Sequence, residues 1–251
     1  MRSAFVILLG VALLVAALVF GQELVATSAD NQAKLDSKNT KDVANNAGLE
    51  AVLNQMDTAA ANFKSAQADF IWDQYQKVVN ETDSQKGKVY FRRQGKDTQM
   101  AADISQPEQK SVLFSDGKVR VYQPKIEQLT EYDAGKNREA FESFLVLGFG
   151  GRGHDLPKSF EVRYQGAEVA NGVRAAKLEL TPKALKVRNM FNRIVLWIDP
   201  GRGVSVQQQF FEPSGDYRFA KYNNITMNQK IADSLFKLKT TGKTKVIRPG
   251  G

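Results

Sequence analysis

The sequence predicts a mainly β protein, in which a long antiparallel sheet carries two helices on its concave face. Three observations predict it: ten short runs of β-type composition, turn residues between those runs, and only two stretches with helical spacing. No long helix alternates with the strands, which argues against a parallel, doubly wound sheet. Because a sheet of this size curls on itself, its concave face must be filled or left as a cavity.

The chain begins with a predicted secretory signal at residues 1–29. Arg2 and the amino terminus give a positive region, the uncharged stretch 4–20 is apolar, and Thr27, Ser28 and Ala29 offer small residues for cleavage. An uncleaved anchor is the alternative, because the apolar stretch is only slightly shorter than the roughly twenty residues that span a bilayer. Both alternatives place the body outside the cytoplasm, and the signal predicts a periplasmic protein.

A polar leader is predicted for residues 30–47, followed by one domain over residues 48–251. The leader is too polar and aperiodic to build a core, so we expect a tether or a disordered segment. The domain begins with an amphipathic helix of about four turns. Its apolar stripe consists of Leu49, Val52, Leu53, Met56 and Phe63.

Ten predicted strands and a second helix follow. Asp-Gly, Asn-Gly and Pro-Gly turns separate the strands and are typical of consecutive hairpins. Phe141, Phe144 and Leu145 give the second helix its apolar face, and Gly148 is placed to end it. The predicted strands are 68–79, 87–93, 110–114, 119–122, 128–132, 160–165, 174–180, 193–199, 204–211 and 217–227.

Composition excludes several kinds of site. The chain has no cysteine and one histidine, so disulfides, thiolate metal sites and multi-histidine zinc sites are excluded. His154, next to Asp155, is the one possible base for a serine-type hydrolase, but no nucleophile is evident. The glycine-rich run 148–153 follows a helix and lacks the Lys-Ser/Thr ending of a phosphate loop, so we interpret it as a flexible connection. We therefore predict neither an enzyme nor a cofactor or metal site.

The net charge of +8 has two interpretations. In the first, scattered basic clusters keep the protein soluble. In the second, these clusters attract anionic lipid headgroups or an acidic partner. Nucleic acid is disfavoured, because the chain is predicted to be exported and has no nucleic-acid-binding motif.

Four apolar side chains of the first two strands are predicted to face the same side. Phe70, Trp72, Val89 and Phe91 would form an aromatic and aliphatic lining. The lining is either a filled core or a cavity for acyl chains, and the residue types do not separate these two alternatives.

Arg93 continues the face of Val89 and Phe91. Its guanidinium would then project into the apolar interior, where its donors need acceptors such as the carbonyls at a helix end. In the alternative, the strand has ended and Arg93 is solvated.

From about Leu49 to Pro249 the sequence resembles the periplasmic outer-membrane lipoprotein carrier family, LolA, and its lipoprotein-sorting relatives. No single segment is specific for this family, but the order and spacing of several segments together are. The segments that carry the resemblance are 63–70, 87–93, 115–124, 178–183, 196–199 and 236–239.

The resemblance implies an incomplete antiparallel β-barrel of about eleven strands closed by a helical lid. It further implies an apolar cavity for lipoprotein acyl chains, lined also by Met100 and by the second helix, and a latch at Arg93 that holds the lid shut. Gln94 follows Arg93 here, where the family has proline.

The function implied is that of a monomeric periplasmic chaperone without catalysis. It would take lipoproteins from an inner-membrane ATP-driven extractor and deliver them to an outer-membrane acceptor. The alternatives of the same fold are a carrier of free lipids and a lipoprotein-sensing regulatory protein.

Overall fold

The computed structural model describes residues 30–95, 97–133 and 147–249. The predicted signal and, except for its final residues, the predicted second helix lie outside these ranges. The described helices are α1 (Asp30–Ala61), α2 (Leu156–Ser159) and α3 (Leu185–Arg188), with 3-10 turns at Pro124–Ile126, Gly153–Asp155 and Asp233–Phe236. The strands are β1 (Ser65–Gln76), β2 (Glu81–Gln94), β3 (Asp97–Gln106), β4 (Lys110–Ser115), β5 (Lys118–Gln123), β6 (Gln128–Asp133), β7 (Phe160–Ala170), β8 (Val173–Pro182), β9 (Arg193–Asp199), β10 (Val204–Phe211), β11 (Tyr217–Met227) and β12 (Lys245–Ile247).

All twelve strands belong to one sheet, in the order β12-β6-β5-β4-β3-β2-β1-β11-β10-β9-β8-β7. Neighbouring strands are antiparallel, except that β12 runs parallel to β6. The edge strands β7 and β12 are not paired with each other, so the sheet does not close. The predicted fold class, a mainly β protein built on an incomplete antiparallel barrel, is confirmed.

Tight hairpins connect neighbouring strands at the predicted turns. Asp116 and Gly117 have φ angles of 55° and 69°, and Asn171 and Gly172 have φ angles of 51° and 77°. Two successive residues with positive φ make a type I′ turn, whose twist matches that of the strands it joins. The Asp-Gly and Asn-Gly pairs therefore set the register of β4 with β5 and of β7 with β8.

Two strands were not predicted from the sequence. Strand β3 alternates inward Met100, Ala102 and Ile104 with outward residues that are polar except for Ala101, and its alanines and aspartates have low β propensity. Strand β12 has only three residues and pairs in parallel with the distant β6, so no local pattern marks it. The sheet thus has twelve strands, two more than the ten runs found in the sequence and close to the number of about eleven that the resemblance implies.

Helix α1 begins at Asp30, so residues 30–47 are helical and the expectation of a disordered segment there is wrong. The alternative, a polar tether, stays a prediction. The segment contains three alanines and three lysines, which have high helix propensity, beside four asparagines and three aspartates, which do not. Once the packed second half of α1 has formed, each further residue extends the helix without a new nucleation cost. An apolar stripe is therefore not required in this half.

The predicted stripe of α1 is confirmed for four of its five residues, because Phe63 lies just beyond the end of the helix and packs elsewhere. Val52, Leu53 and Met56 are buried, Leu49 is half-buried, and together they pack on the inner face of the sheet from β7 to β10. Their buried strand partners are Phe160, Ala176, Leu178, Leu180, Ile194, Leu196, Ile198 and Phe210. Helix α1 thus covers one half of the inner face.

The C-terminal segment covers part of the outer face. Tyr90, Ala101 and Leu113 point outwards from β2, β3 and β4 and form a buried cluster with Phe236. The guanidinium of Arg92 lies 4.0 Å from the centre of the Phe236 ring. This packing explains why β2 is apolar on both faces.

We expect Leu53→Ala to lower the free energy of unfolding by about 2 to 5 kcal/mol, because Leu53 is 1% exposed and its removal leaves a cavity between α1 and the sheet. Leu185→Ala is the matched control, since Leu185 is 69% exposed, and should change stability by less than about 0.5 kcal/mol. Urea unfolding followed by circular dichroism measures both, and equal effects would contradict this packing.

Candidate functional site

The half of the inner face that α1 leaves open carries an apolar cluster, which we call the inner lining. It is centred on β1 to β5 and extends to β10 and β11. Its buried members are Phe63, Ala66, Ala68, Phe70, Val89, Phe91, Ile104, Val112, Phe114, Val119, Val121, Phe149, Val204, Ala220 and Tyr222, and the half-buried Trp72, Met100, Ala102, Ile225 and Met227 pack against them.

The structure brings five of the predicted lining residues together. Phe70, Val89 and Phe91 are buried in the inner lining, and Trp72 and Met100 pack against it while remaining half-buried. The register explains the grouping, because Phe91 pairs with Met100 and strand alternation sends both side chains inwards. Phe141, Phe144 and Leu145 lie outside the described residues. Ligand binding by any of these residues stays a prediction.

Within the described ranges, only two side chains reach the inner lining from outside the sheet. They are Phe63, just after the end of α1, and Phe149, in the loop before β7. By contrast, α1 lays Val52, Leu53 and Met56 along the other half. The two halves of the inner face are thus covered differently by the described chain.

Phe149 is the aromatic residue that sequence reasoning missed. It is fully buried, and its ring stacks on Phe91 with the ring centres 4.7 Å apart. The rings of Phe149 and Tyr222 are nearly perpendicular, with their centres 4.9 Å apart. Its one sequence signal is a large aromatic residue between Gly148 and Gly150, in a loop where such a residue is expensive to expose. Phe149 therefore fills one end of the inner lining.

Buried hydrogen bonds fix the loop on both sides of Phe149. Gln208 donates its side-chain amide to the carbonyl of Leu147, and its own side-chain oxygen accepts from the Tyr222 hydroxyl at 3.0 Å. The backbone N–H of Ser205 donates to the carbonyl of Gly148 at 2.8 Å. Burial raises the pKa of Tyr222, which keeps its hydroxyl protonated. The predicted flexible connection, residues 148–153, is thus wrong for residues 148–150.

Glycine is required at position 150. The residue has a φ of +80°, and a Cβ atom placed there would lie 2.5 Å from the ring of Phe63. The absence of a side chain therefore lets the loop lie directly against Phe63.

Arg93 joins the end of α1 to this loop. Its Nη1 donates to the carbonyl of Ala60 and its Nη2 to the carbonyl of Gly150, both at 3.0 Å. Its guanidinium also lies 5.7 Å from the centre of the Phe63 ring. The Ala60 carbonyl belongs to the last turn of α1, where carbonyls lack helical partners.

The structure agrees fully with neither of the two alternatives that the sequence left open for Arg93. The residue is exposed at the rim of the sheet, so its side chain does not project into the apolar interior. It is not merely solvated either, because two carbonyls of separate segments hold its guanidinium. A latch role for Arg93 stays a prediction.

Arg92, next to this bridge, faces the outer side. Its Nη1 pairs with the carboxylate of Asp233, and its Nε donates to the side chain of Gln99 at 2.8 Å. Arg92 thus holds the C-terminal segment against β2. Replacing Arg92 would therefore disturb a contact of its own, which makes it unsuitable as a control for substitutions of Arg93.

His154 is held by carboxylates of α1. Its Nδ1 lies 2.8 Å from Asp57 and its Nε2 lies 3.2 Å from Glu50, while its backbone N–H donates to Asp57 at 3.2 Å. The neighbouring Asp155 pairs with Lys158 instead. A catalytic pair of His154 with Asp155 is therefore absent from this described loop, and carboxylates occupy both ring nitrogens.

The pKa values of this cluster move in opposite directions. Hydrogen bonds to Asp57 and then to Glu50 raise the pKa of His154. Burial raises the pKa of Asp57, but its bonds with His154 outweigh burial and lower the pKa overall. Both shifts favour the charged pair, which attaches the loop at Gly153–Asp155 to α1.

In the described ranges, no group of histidines and acidic residues has the arrangement of a metal site. No helix in the described part of the chain is long and apolar enough to cross a membrane.

A family model described as "Outer membrane lipoprotein carrier protein LolA" matches residues 61–239. The chain belongs to the LolA family. The match runs from the end of α1 to just beyond the C-terminal segment that packs on β2 to β4. None of the curated protein sequences shows significant similarity to the chain.

The solved structures that are similar to the chain have low sequence identity to it. An uncharacterised conserved protein from Thermus thermophilus has a TM-score of 0.51 and 13% identity, over 79% of this chain and 98% of that one. MucB has a TM-score of 0.50 and 13% identity, over 76% of this chain and 63% of MucB. A LolA superfamily protein from Nitrosomonas europaea has a TM-score of 0.38 and 13% identity, over 75% of this chain and 97% of that one.

We expect the attachment of the loop to α1 to weaken as the pH rises. The raised pKa of folded His154 means that its contribution to stability is complete below the unfolded value of about 6.5. That contribution is lost as the pH rises through the folded pKa. Urea midpoints from about pH 5.5 to about pH 8.5 should therefore fall more steeply for the wild type than for His154→Asn. Identical slopes would show that the histidine pair contributes nothing.

Proposed function

We propose that this LolA-family protein is a periplasmic carrier of acyl-chain cargo, which lies along the inner lining. Lipoproteins are the cargo expected from the family's description. The carrier would take them from an inner-membrane ATP-driven extractor and deliver them to an outer-membrane acceptor, acting as a monomer and performing no chemistry itself.

The single observation that carries the proposal is the division of the inner face. Helix α1 packs on β7 to β10, while the apolar lining of β1 to β5 meets only Phe63 and Phe149 among the described residues outside the sheet. Moving an acyl chain from water to such a surface gains about 0.8 kcal/mol per methylene. The half-buried Trp72 and Met100 offer this surface directly.

We expect the wild type to bind a fluorescent apolar probe at micromolar concentration and to release it to a competing lipopeptide. Met100→Glu should weaken this binding at least about tenfold, because a carboxylate placed in the lining loses its hydration. Val169→Glu introduces the same charge on β7 at a side chain that is 75% exposed, and it should bind like the wild type. If no apolar probe binds the folded protein, the carrier proposal fails.

Mass spectrometry of material purified with the protein from its native compartment identifies the cargo. Lipoproteins would support the proposal, free lipids would favour the alternative carrier, and a regulatory protein without lipid would contradict a carrier role.

Arg93 would act as a latch in this carrier. Its guanidinium spans two segments, the end of α1 and the loop that presents Phe149 to the lining. Hydrogen bonds to charged groups contribute about 1.5 to 3 kcal/mol each, and less at an exposed rim such as this. Separating the loop from α1 breaks at least the bond to Gly150, so the empty protein would favour the closed arrangement.

We expect Arg93→Leu to take up cargo but to release it about tenfold more slowly, because about 1.4 kcal/mol of the closed state's advantage is lost. Arg163→Leu is the matched control, since Arg163 is exposed on β7 and its side chain makes no hydrogen bond, ion pair or ring contact within the described chain. Release is measured by transfer of a labelled lipopeptide to acceptor vesicles. Equal release by the two variants would overturn the latch.

A further inference from the structure

Lys110 is a buried lysine on the inner face of the sheet. It begins β4, where it pairs with Ile104 of β3, and it precedes Val112 by two residues. Ile104 and Val112 both belong to the inner lining, and strand alternation puts Lys110 on their side. Only 7% of the residue is exposed, so a cationic side chain lies at one end of an apolar surface.

The ammonium of Lys110 has no partner among the described residues. Within those ranges, no hydrogen bond or ion pair joins it to another side chain or carbonyl. Glu108 is the acidic residue nearest in the chain, but its carboxylate pairs with the exposed Lys125 at 2.8 Å. Burial lowers the pKa of Lys110, and the charge of the nearby Glu108 carboxylate offsets only part of that effect.

Polar side chains accompany Lys110 at this end of the inner face. Thr130 pairs with the lining residue Val121 and is 8% exposed, and Gln128 donates to its hydroxyl at 3.1 Å. Gln128 lies two residues before Thr130 and therefore faces the same side. The lining thus changes from aromatic and aliphatic to polar and cationic where β4 and β6 begin.

This polar end and Arg93 lie at opposite ends of the inner face along the strands. Arg93 pairs with Thr98 of β3, six residues before Ile104, the partner of Lys110. Six residues of strand extend about 20 Å. One acyl chain spans half of a bilayer's hydrocarbon core of roughly 30 Å, so it fits between the two ends.

We propose that Lys110 binds the anionic group of an acyl lipid, a phosphate or a carboxylate, while the acyl chain lies along the inner lining. The inference rests on the proposed binding of acyl chains, and it favours the alternative cargo, a free lipid that carries an anionic group. An unpaired buried ammonium is costly, and an anion beside it offsets that cost. Gln128 and Thr130 supply further polar atoms at the same end.

The test compares two probes that differ only in charge, cis-parinaric acid and its methyl ester, at mildly alkaline pH. Lys110→Met keeps most of the side-chain volume and removes the charge. We expect it to bind the acid about tenfold more weakly than the wild type and to bind the ester unchanged. Lys110→Arg should retain the preference for the acid.

Lys88→Met is the matched control, because Lys88 lies on the outer side of β2 with its side chain 64% exposed and the same charge is lost. Competition by lysophosphatidic acid and by a fatty acid of equal chain length separates a phosphate source from a carboxylate source. If Lys110→Met lowers affinity for acid and ester equally, or for neither, the anion site is overturned while the carrier proposal stands. If the wild type binds neither probe, both proposals fail.

Discussion

The whole arrangement depends on how an open sheet of twelve strands covers its apolar inner face. Each strand that contributes inward apolar side chains needs a covering layer, and α1 supplies one only for β7 to β10. Adding the strands β1 to β5 extends the apolar face beyond the reach of that helix. The fold therefore presents an apolar lining next to a conventional core, within one continuous sheet.

Hydrogen bonds to backbone carbonyls fix the loop at the border between these halves. Leu147 and Gly148 are held through their carbonyls by Gln208 and Ser205, and Gly150 is held by Arg93. These bonds position the ring of Phe149 without burying unsatisfied backbone groups, which an apolar plug in a loop would otherwise bring with it. A change at any of these donors alters how firmly Phe149 occupies the lining.

The sequence predicted features that local chemistry determines. The stripe of α1 follows from helical periodicity, the hairpins follow from Asp-Gly and Asn-Gly pairs, and the inward face of β2 follows from strand alternation. It did not predict features made by distant partners: the parallel pairing of β12, the partners of His154 on α1, and the burial of Phe149. Lys110 was missed although the predicted strand 110–114 begins there, because the sequence does not show which face of that strand points inwards. The sequence predicted that carbonyls at a helix end would accept hydrogen bonds from Arg93. It did not predict that Arg93 lies exposed at the rim of the sheet.

The proposed carrier has to bind its cargo weakly enough to release it, and the lining would provide only a limited affinity. A chain of roughly sixteen methylenes gains about 13 kcal/mol on full burial, at about 0.8 kcal/mol each. Association costs about 4 to 15 kcal/mol, so the net affinity is modest even before any rearrangement of the loop. If cargo displaces Phe149 from Phe91, the stacking of those rings and the bonds of Arg93 are subtracted as well. The same contacts re-form when cargo leaves, so they favour delivery to any acceptor that buries the chain without a comparable cost.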